Sequence, residues 1–219
     1  MIIKKLGDRK TKIVLEKTNS HTNSAVLFIP GASGEVFNSK FDSLSQSCRE
    51  KGVDFLRVQI WKNMEELERK NIRTIHHDID AAVSYLKKNG YKKIMGIGKS
   101  LGGTALLTRN HPDISKLALW APIIGISKTK GNIEKKMDAE FAKITSLLEI
   151  TVDKEMLSLL KIPILIVSGN KDQLMPLANT SQLLHLLPSA KLVQIKGMGH
   201  SYKTPRQEKK VINSTVSFL

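Results

Sequence analysis

The chain of 219 residues has a single cysteine, Cys48, so no disulfide framework can hold it together. Aromatic residues are sparse, with two Trp, three Tyr and six Phe. That leaves little for the base-stacking platforms by which proteins grip single-stranded nucleic acid, and no nucleic-acid motif is present. No stretch approaches the ~20 consecutive apolar residues a membrane helix needs. The opening MIIKKLGDRK puts only three apolar residues before the first charge and does not read as a signal peptide. With a lone cysteine, the expectation is a cytoplasmic protein of a reducing compartment. Acidic residues are also in short supply, 20 against 35 Lys and Arg, for a net charge of +15. At 41% hydrophobic residues, however, the chain is not of the disordered class.

The basic surplus raises anionic partners, but its placement argues for a blander role. Residues 1–20 carry six basic and two acidic side chains, and residues 191–219 carry six and one. The stretch Lys87–Lys99 holds five lysines and no acid, whereas residues 127–161 hold seven Lys against six acids. Single lysines flanking apolar runs are how solvated strand and helix ends look. The surplus is therefore read as solubility and steering, not as specific nucleic-acid binding.

Short apolar runs alternate with longer stretches of helical period, the pattern of a mostly parallel α/β sheet. Strands are expected at Met1–Leu6, Thr11–Leu15, Ala25–Gly31, Asp54–Trp61, Lys93–Gly98, Leu117–Ala121, Pro163–Ser168 and Lys191–Ile195. Helices are expected over Ser39–Lys51, Thr74–Asn89, Leu101–Arg109, Ala178–Leu187 and Pro205–Phe218. Residues 126–161 carry no strand signal and read as an amphipathic helical insertion between two strands of one sheet. No linker divides the chain, so 1–219 is taken as a single domain of the α/β class with about eight strands.

The segment KKIMGIGKSLGG carries the most chemistry. Gly98-Lys99-Ser100-Leu101-Gly102 sits between a predicted strand and a predicted helix and matches G-x-S-x-G, the nucleophile elbow. A serine on so sharp a turn forces the residues two before and two after it into crowded positions. Glycine at 98 and 102 removes the offending Cβ atoms. Gly98-Lys99-Ser100 is also the tail of a P-loop, but that pattern needs glycine at 93, which is Lys93. A dinucleotide fingerprint starting at Gly96-Ile97-Gly98 fails at Leu101. No cofactor is expected.

Two further segments run a predicted strand into a side chain of catalytic type: PILIVSGNKD ends on Asp172, and KLVQIKGMGH on His200. Strand C-termini are where open α/β sheets bind ligands. In role logic His200 takes the proton of Ser100 and returns it to the leaving group, while Asp172 orients the imidazole. Asp138 and Asp153 are weaker candidates for the acid.

On IPGASG, GIGKSLGG, SGNKDQLMP and KGMGHS, in that order from about Ala25 to Ser201, the chain resembles the α/β-hydrolase superfamily, among its small serine hydrolases of the dienelactone-hydrolase and esterase type. The resemblance implies an α/β-hydrolase fold with a sheet of about eight strands. It also implies an oxyanion hole made by the backbone N–H groups of Leu101 and Ala32. The family's usual His-Gly in that loop is Pro30-Gly31 here. Residues 126–161 fall where the family inserts a lid, and about 35 residues make a small lid over a shallow or partly open acyl site. The activity implied is hydrolysis of an ester, thioester or related acyl substrate through an acyl-enzyme, with a small-molecule partner and no metal. Two other readings stand beside it. One is a silent hydrolase-fold binding protein; the other is a peptidase or acyltransferase using the same triad.

Trp61 and Trp120 each follow a strand and are candidates to line the substrate pocket, with ordinary core packing the rival reading. Lys99, beside the nucleophile, is a candidate to attract a substrate carboxylate. His76 and His77 lie near Asp78 and Asp80, but adjacent helical residues point roughly 100° apart and no histidine follows at i+4, so metal is not expected. Cys48 reads as a quiet core thiol.

Overall fold

The structure, a computed structural model, describes residues 4–6, 11–124, 157 and 159–219. Eight strands form one sheet: β1 (Lys4–Lys5), β2 (Lys12–Glu16), β3 (Ser24–Ile29), β4 (Asp54–Gln59), β5 (Lys93–Lys99), β6 (Ile114–Trp120), β7 (Ile164–Gly169) and β8 (Ala190–Ile195). Their order across the sheet is β1-β2-β4-β3-β5-β6-β7-β8. Only β2 runs against its neighbours, β1 and β4; from β4 to β8 every pairing is parallel.

Parallel strands covered on both faces read as near-continuous apolar runs, and here the period of two sorts those residues into two cores. Ala25, Leu27 and Ile29 of β3 face one cluster with Ile94, Leu117, Leu119 and Ile166. Val26 and Phe28 face the other with Met95, Ile97, Trp120 and Val167. Helices α3 (Ile72–Lys88), α4 (Leu101–Arg109) and α5 (Leu177–Leu186) cover the first face through Ile75, Ile79, Val83, Leu106 and Leu183. Helices α1 (Asp42–Glu50) and α6 (Pro205–Phe218) cover the second through Leu44, Cys48, Val211 and Ile212. Burial pushes the Cys48 thiol up to about 12, which leaves it protonated and unreactive.

The elements follow the sequence pattern with local differences. Asn71 and Thr74 form a reciprocal capping box, so α3 starts at Ile72 and not at Thr74. A one-turn helix, α2 (Met64–Glu68), was not expected; Asn63 caps it by accepting from the N–H of Glu66 at 3.0 Å. β6 begins at Ile114, three residues earlier than the apolar run, because Ser115 and Lys116 lie between its two buried ends. The lid expected over 126–161 lies mostly outside the described residues. Within it, Leu157 and Leu160 are buried against the first core. Among the described residues no helix is long and apolar enough to cross a membrane.

Among the described residues, the buried charged side chains Arg57, Asp78 and Asp54 each have partners. Arg57 of β4 donates to Glu16 and Asp42 at 2.8 and 2.7 Å and to the carbonyls of Val36 and Asn38, which ties the segment after β3 to the sheet. Asp78 of α3 accepts from Thr11 and Lys70. The Tyr91 hydroxyl donates to the Asp54 carboxylate in the interior. These pairs relieve the cost of burying a charge and have a structural role.

Candidate active site

At the C-terminal end of β5 the chain turns directly into α4. Ser100 sits at the joint with φ 52° and ψ −122°, a left-handed conformation that a non-glycine residue occupies only under constraint. The constraint is visible on both sides. The N–H of Ser100 donates to the carbonyl of Trp120 at 2.7 Å, and its own carbonyl accepts the first helical bond from Thr104 at 3.1 Å. A Cβ on Gly98 would lie 2.5 Å from the Cα of Gly103, and one on Gly102 would come closer than 3.0 Å to the carbonyls of Ile29 and Pro30. Gly98 thus makes room for the helix. Gly102 lets that helix rest on the end of β3, a contact additional to the crowding expected within the elbow.

Asp172 follows β7 and His200 follows β8, which brings both to the same edge of the sheet. The Asp172 side chain is fully buried, with Oδ1 accepting from the N–H groups of Leu174 and Met175, both at 2.9 Å. The His200 Nδ1 lies 3.0 Å from Asp172 Oδ2, and Nε2 lies 2.9 Å from Ser100 Oγ. An ionised carboxylate only accepts, so the proton of a neutral imidazole belongs on Nδ1 and Nε2 is left to accept from the serine hydroxyl. Ser100 is 3% exposed.

Gly31 packs directly on Ser100: a Cβ there would lie 3.2 Å from Ser100 Cβ. The N–H groups of Ala32 and Leu101, which flank this contact, make no hydrogen bond within the described residues. Behind the loop, Trp61 is 1% exposed and its indole N–H donates to the Gly31 carbonyl at 3.1 Å. Trp61 thus packs among the core residues and braces the Pro30-Gly31-Ala32 loop. A tryptophan after a strand reads the same in either case.

Trp120 and Lys99 are lateral neighbours on β6 and β5, and both line a small cleft on the α6 side of the sheet with His200, Ser201 and Tyr202. Trp120 is fixed there by its indole N–H, which donates to Thr215 of α6 at 2.8 Å. The Lys99 ammonium is pulled down to about 8, chiefly by burial and secondly by Lys40, and it donates to Ser201 Oγ at 2.8 Å. Sequence reasoning did not single out Gly169, where a Cβ would run into the carbonyls of Met198 and Gly199. It also missed Asn170, whose side chain accepts from the N–H of Gly197 at 2.7 Å and shapes the turn leading to His200. The only signal was their place in the Ser-Gly-Asn-Lys-Asp turn.

The other histidines stay apart from this edge. His76 Nε2 lies 2.9 Å from Thr108 Oγ1 between α3 and α4, and burial lowers its pKa to about 4. Among the described residues no three His, Cys, Asp or Glu side chains gather to hold a metal ion.

Comparison with known proteins agrees with this architecture. A family profile described as TAP-like protein, of the α/β-hydrolase group, matches residues 144–219. No curated protein sequence matches the chain. Among solved structures, Est1E from Butyrivibrio proteoclasticus superposes with a TM-score of 0.79 at 19% identity, covering 99% of this chain and 96% of its own. Dienelactone hydrolase from Anabaena variabilis gives 0.75 at 19% identity, covering 99% and 94%. A thermophilic esterase from Thermogutta terrifontis gives 0.74 at 16%, covering 99% and 91%. The chain has the α/β-hydrolase fold, as its motifs led one to expect.

Proposed function

We propose that the protein is a serine hydrolase acting on an ester, thioester or related small acyl substrate through an acyl-enzyme. Ser100 is the nucleophile, His200 the general base and Asp172 its orienting acid. In the first half-reaction Ser100 Oγ attacks the carbonyl carbon while His200 Nε2 takes its proton. Negative charge develops on the former carbonyl oxygen and is met by the N–H groups of Leu101 and Ala32. Collapse breaks the bond to the leaving group, which departs with the proton from His200. Water then attacks the acyl-enzyme with His200 again as base, releasing the acid and restoring Ser100.

The observation that carries this reading is the unbroken hydrogen-bonded chain Ser100–His200–Asp172 on one edge of the sheet, with Ser100 held in a strained turn. A protein that only bound ligands in this fold would have no use for that strain or for free N–H groups beside the serine. The esterases and the dienelactone hydrolase with which the chain superposes support the same chemistry. The test is turnover of a panel of p-nitrophenyl esters, acyl thioesters and aminoacyl amides, with Ser100→Ala as control. Ester or thioester turnover that vanishes in Ser100→Ala supports the proposal. Turnover confined to amides makes the protein a peptidase, and turnover that persists in Ser100→Ala rules out the mechanism.

A further inference from the structure

The loop carrying His200 is anchored differently on its two sides. Upstream, backbone and amide groups hold it: Met198 N–H donates to Ile195, Lys171 N–H to the Met198 carbonyl, and Gly197 N–H to Asn170. Downstream, residues 199–202 donate no backbone hydrogen bond within the described residues. What holds that half is side chains. Lys99 Nζ donates to Ser201 Oγ at 2.8 Å, Tyr202 Oη donates to the Lys40 carbonyl at 3.0 Å, and the Tyr202 ring meets Trp120 edge-on at 6.4 Å.

The first of these contacts joins the residue before the nucleophile to the residue after the base, 102 positions apart in the chain. It closes a short loop of structure through Lys99, Ser100, His200 and Ser201, so the distance between Ser100 Oγ and His200 Nε2 is set from both sides. We propose that Lys99 is a positioning residue that clips the His200 loop over Ser100 through its hydrogen bond to Ser201. This rests on the serine-hydrolase reading for its catalytic consequence, though the clip itself does not. It replaces the expectation that Lys99 attracts a substrate carboxylate. The β-strand alternation puts Lys99 on the α6 face with Met95 and Ile97, beneath the histidine loop, and its ammonium is already engaged there. Burial and the nearby Lys40 make the charge costly at this place. A lysine that served only to fill space would be better replaced by an apolar side chain.

The test combines kinetics with backbone 15N relaxation on the full chain in four variants: Lys99→Met, Ser201→Ala, the double variant and Ser201→Thr. Ser201→Ala is the smallest change and keeps the test open if Lys99→Met folds poorly. Each single loss is expected to lower kcat roughly tenfold with KM changed less than about twofold, as misplacement of a base does. The double variant is expected to be no slower than the worse single variant, because both remove one interaction. Ser201→Thr, which keeps the hydroxyl, is expected to restore kcat. Residues 199–202 donate no backbone hydrogen bond, so their mobility is the readout: order parameters there are expected to fall in Lys99→Met and Ser201→Ala but not in Ser201→Thr. Multiplicative losses in the double variant, or a kcat unmoved by either single change, overturn the proposal. If the unaltered protein shows no Ser100-dependent turnover, the hydrolase reading fails. The clip is then decided on relaxation alone, and unchanged order parameters at 199–202 overturn it.

Discussion

The imidazole Nε2 of His200 lies 2.9 Å from the hydroxyl oxygen of Ser100, although 100 residues of chain separate them. The contact is made by topology: β5 and β8 end at the same edge of the sheet, and β6 and β7 lie between them. Because His200 is near the surface and contributes little to either core, its loss should separate chemistry from folding. His200→Ala is expected to cut kcat by roughly 10⁴-fold, with a change in melting temperature of no more than a few degrees. Steady-state kinetics and a thermal melt on the same preparation check both halves.

Asp172 offers a sharper version of the same idea. Asp172→Asn preserves shape but can present an N–H to His200 Nδ1, which drives the ring proton to Nε2, where it opposes the serine hydroxyl. A fall in kcat of about 10³–10⁴-fold with little change in KM is expected. Equal losses in kcat and in stability would instead mark Asp172 as a residue of the turn. Its two bonds from Leu174 and Met175 make that a real alternative.

Trp61 braces the loop that carries Ala32, and it does so through one N–H. Trp61→Phe keeps most of the core contact and removes that donor. The Gly31 carbonyl retains its second partner, the N–H of Gly34 at 3.0 Å, so the expected loss of stability is only about 1 kcal/mol. A loop shift beside the proposed oxyanion hole should appear in kcat and not in KM. A variant altered chiefly in KM would place Trp61 at the substrate pocket instead.

Gly102 leaves no room for a side chain, since a Cβ would press on the carbonyls at the end of β3. Gly102→Ala is expected to destabilise the protein by ~1–3 kcal/mol and to displace α4 from β3. Urea unfolding measures the first effect, and loss of turnover in the fraction still folded reports the second.

The pH dependence of stability has a predicted sign on the acid side. Burial lowers the His76 pKa to about 4, from 6.5, so over that interval the unfolded chain binds the proton and the folded one does not. This group therefore subtracts stability progressively as pH falls from about 6.5 to about 4. His76→Gln should flatten the pH dependence in that window, as seen by urea unfolding at pH 7 and pH 5. For Lys99, lowered to about 8 from 10.5, the unfolded chain again binds the extra proton, and its contribution to stability rises as pH is raised across that range.

Residues with a local signature were readable in the sequence. Doubly buried strands such as β3 and β7 are near-continuous apolar runs, whatever lies around them. Ser100 was visible because the turn it occupies demands Gly98 and Gly102, and Asp172 and His200 because each ends a strand. What stayed hidden depends on which surface a side chain meets. Nothing local distinguishes Trp61 packed behind a loop from a tryptophan in a pocket, and nothing near Lys99 points to Ser201, 102 residues away. Gly169 needed the path of the β8 loop before its role could be seen. The short helix at Met64 was legible in principle through Asn63 and Glu66, but one turn has too few residues to show a period.

The most direct test is covalent capture of the nucleophile. Incubation of the unaltered protein with a fluorophosphonate and analysis by intact and peptide mass should give a single adduct on Ser100. His200→Ala should slow its formation steeply, and Ser100→Ala should give none. No adduct on the unaltered protein, or an equal adduct on Ser100→Ala, would contradict the assignment of Ser100 as an activated nucleophile.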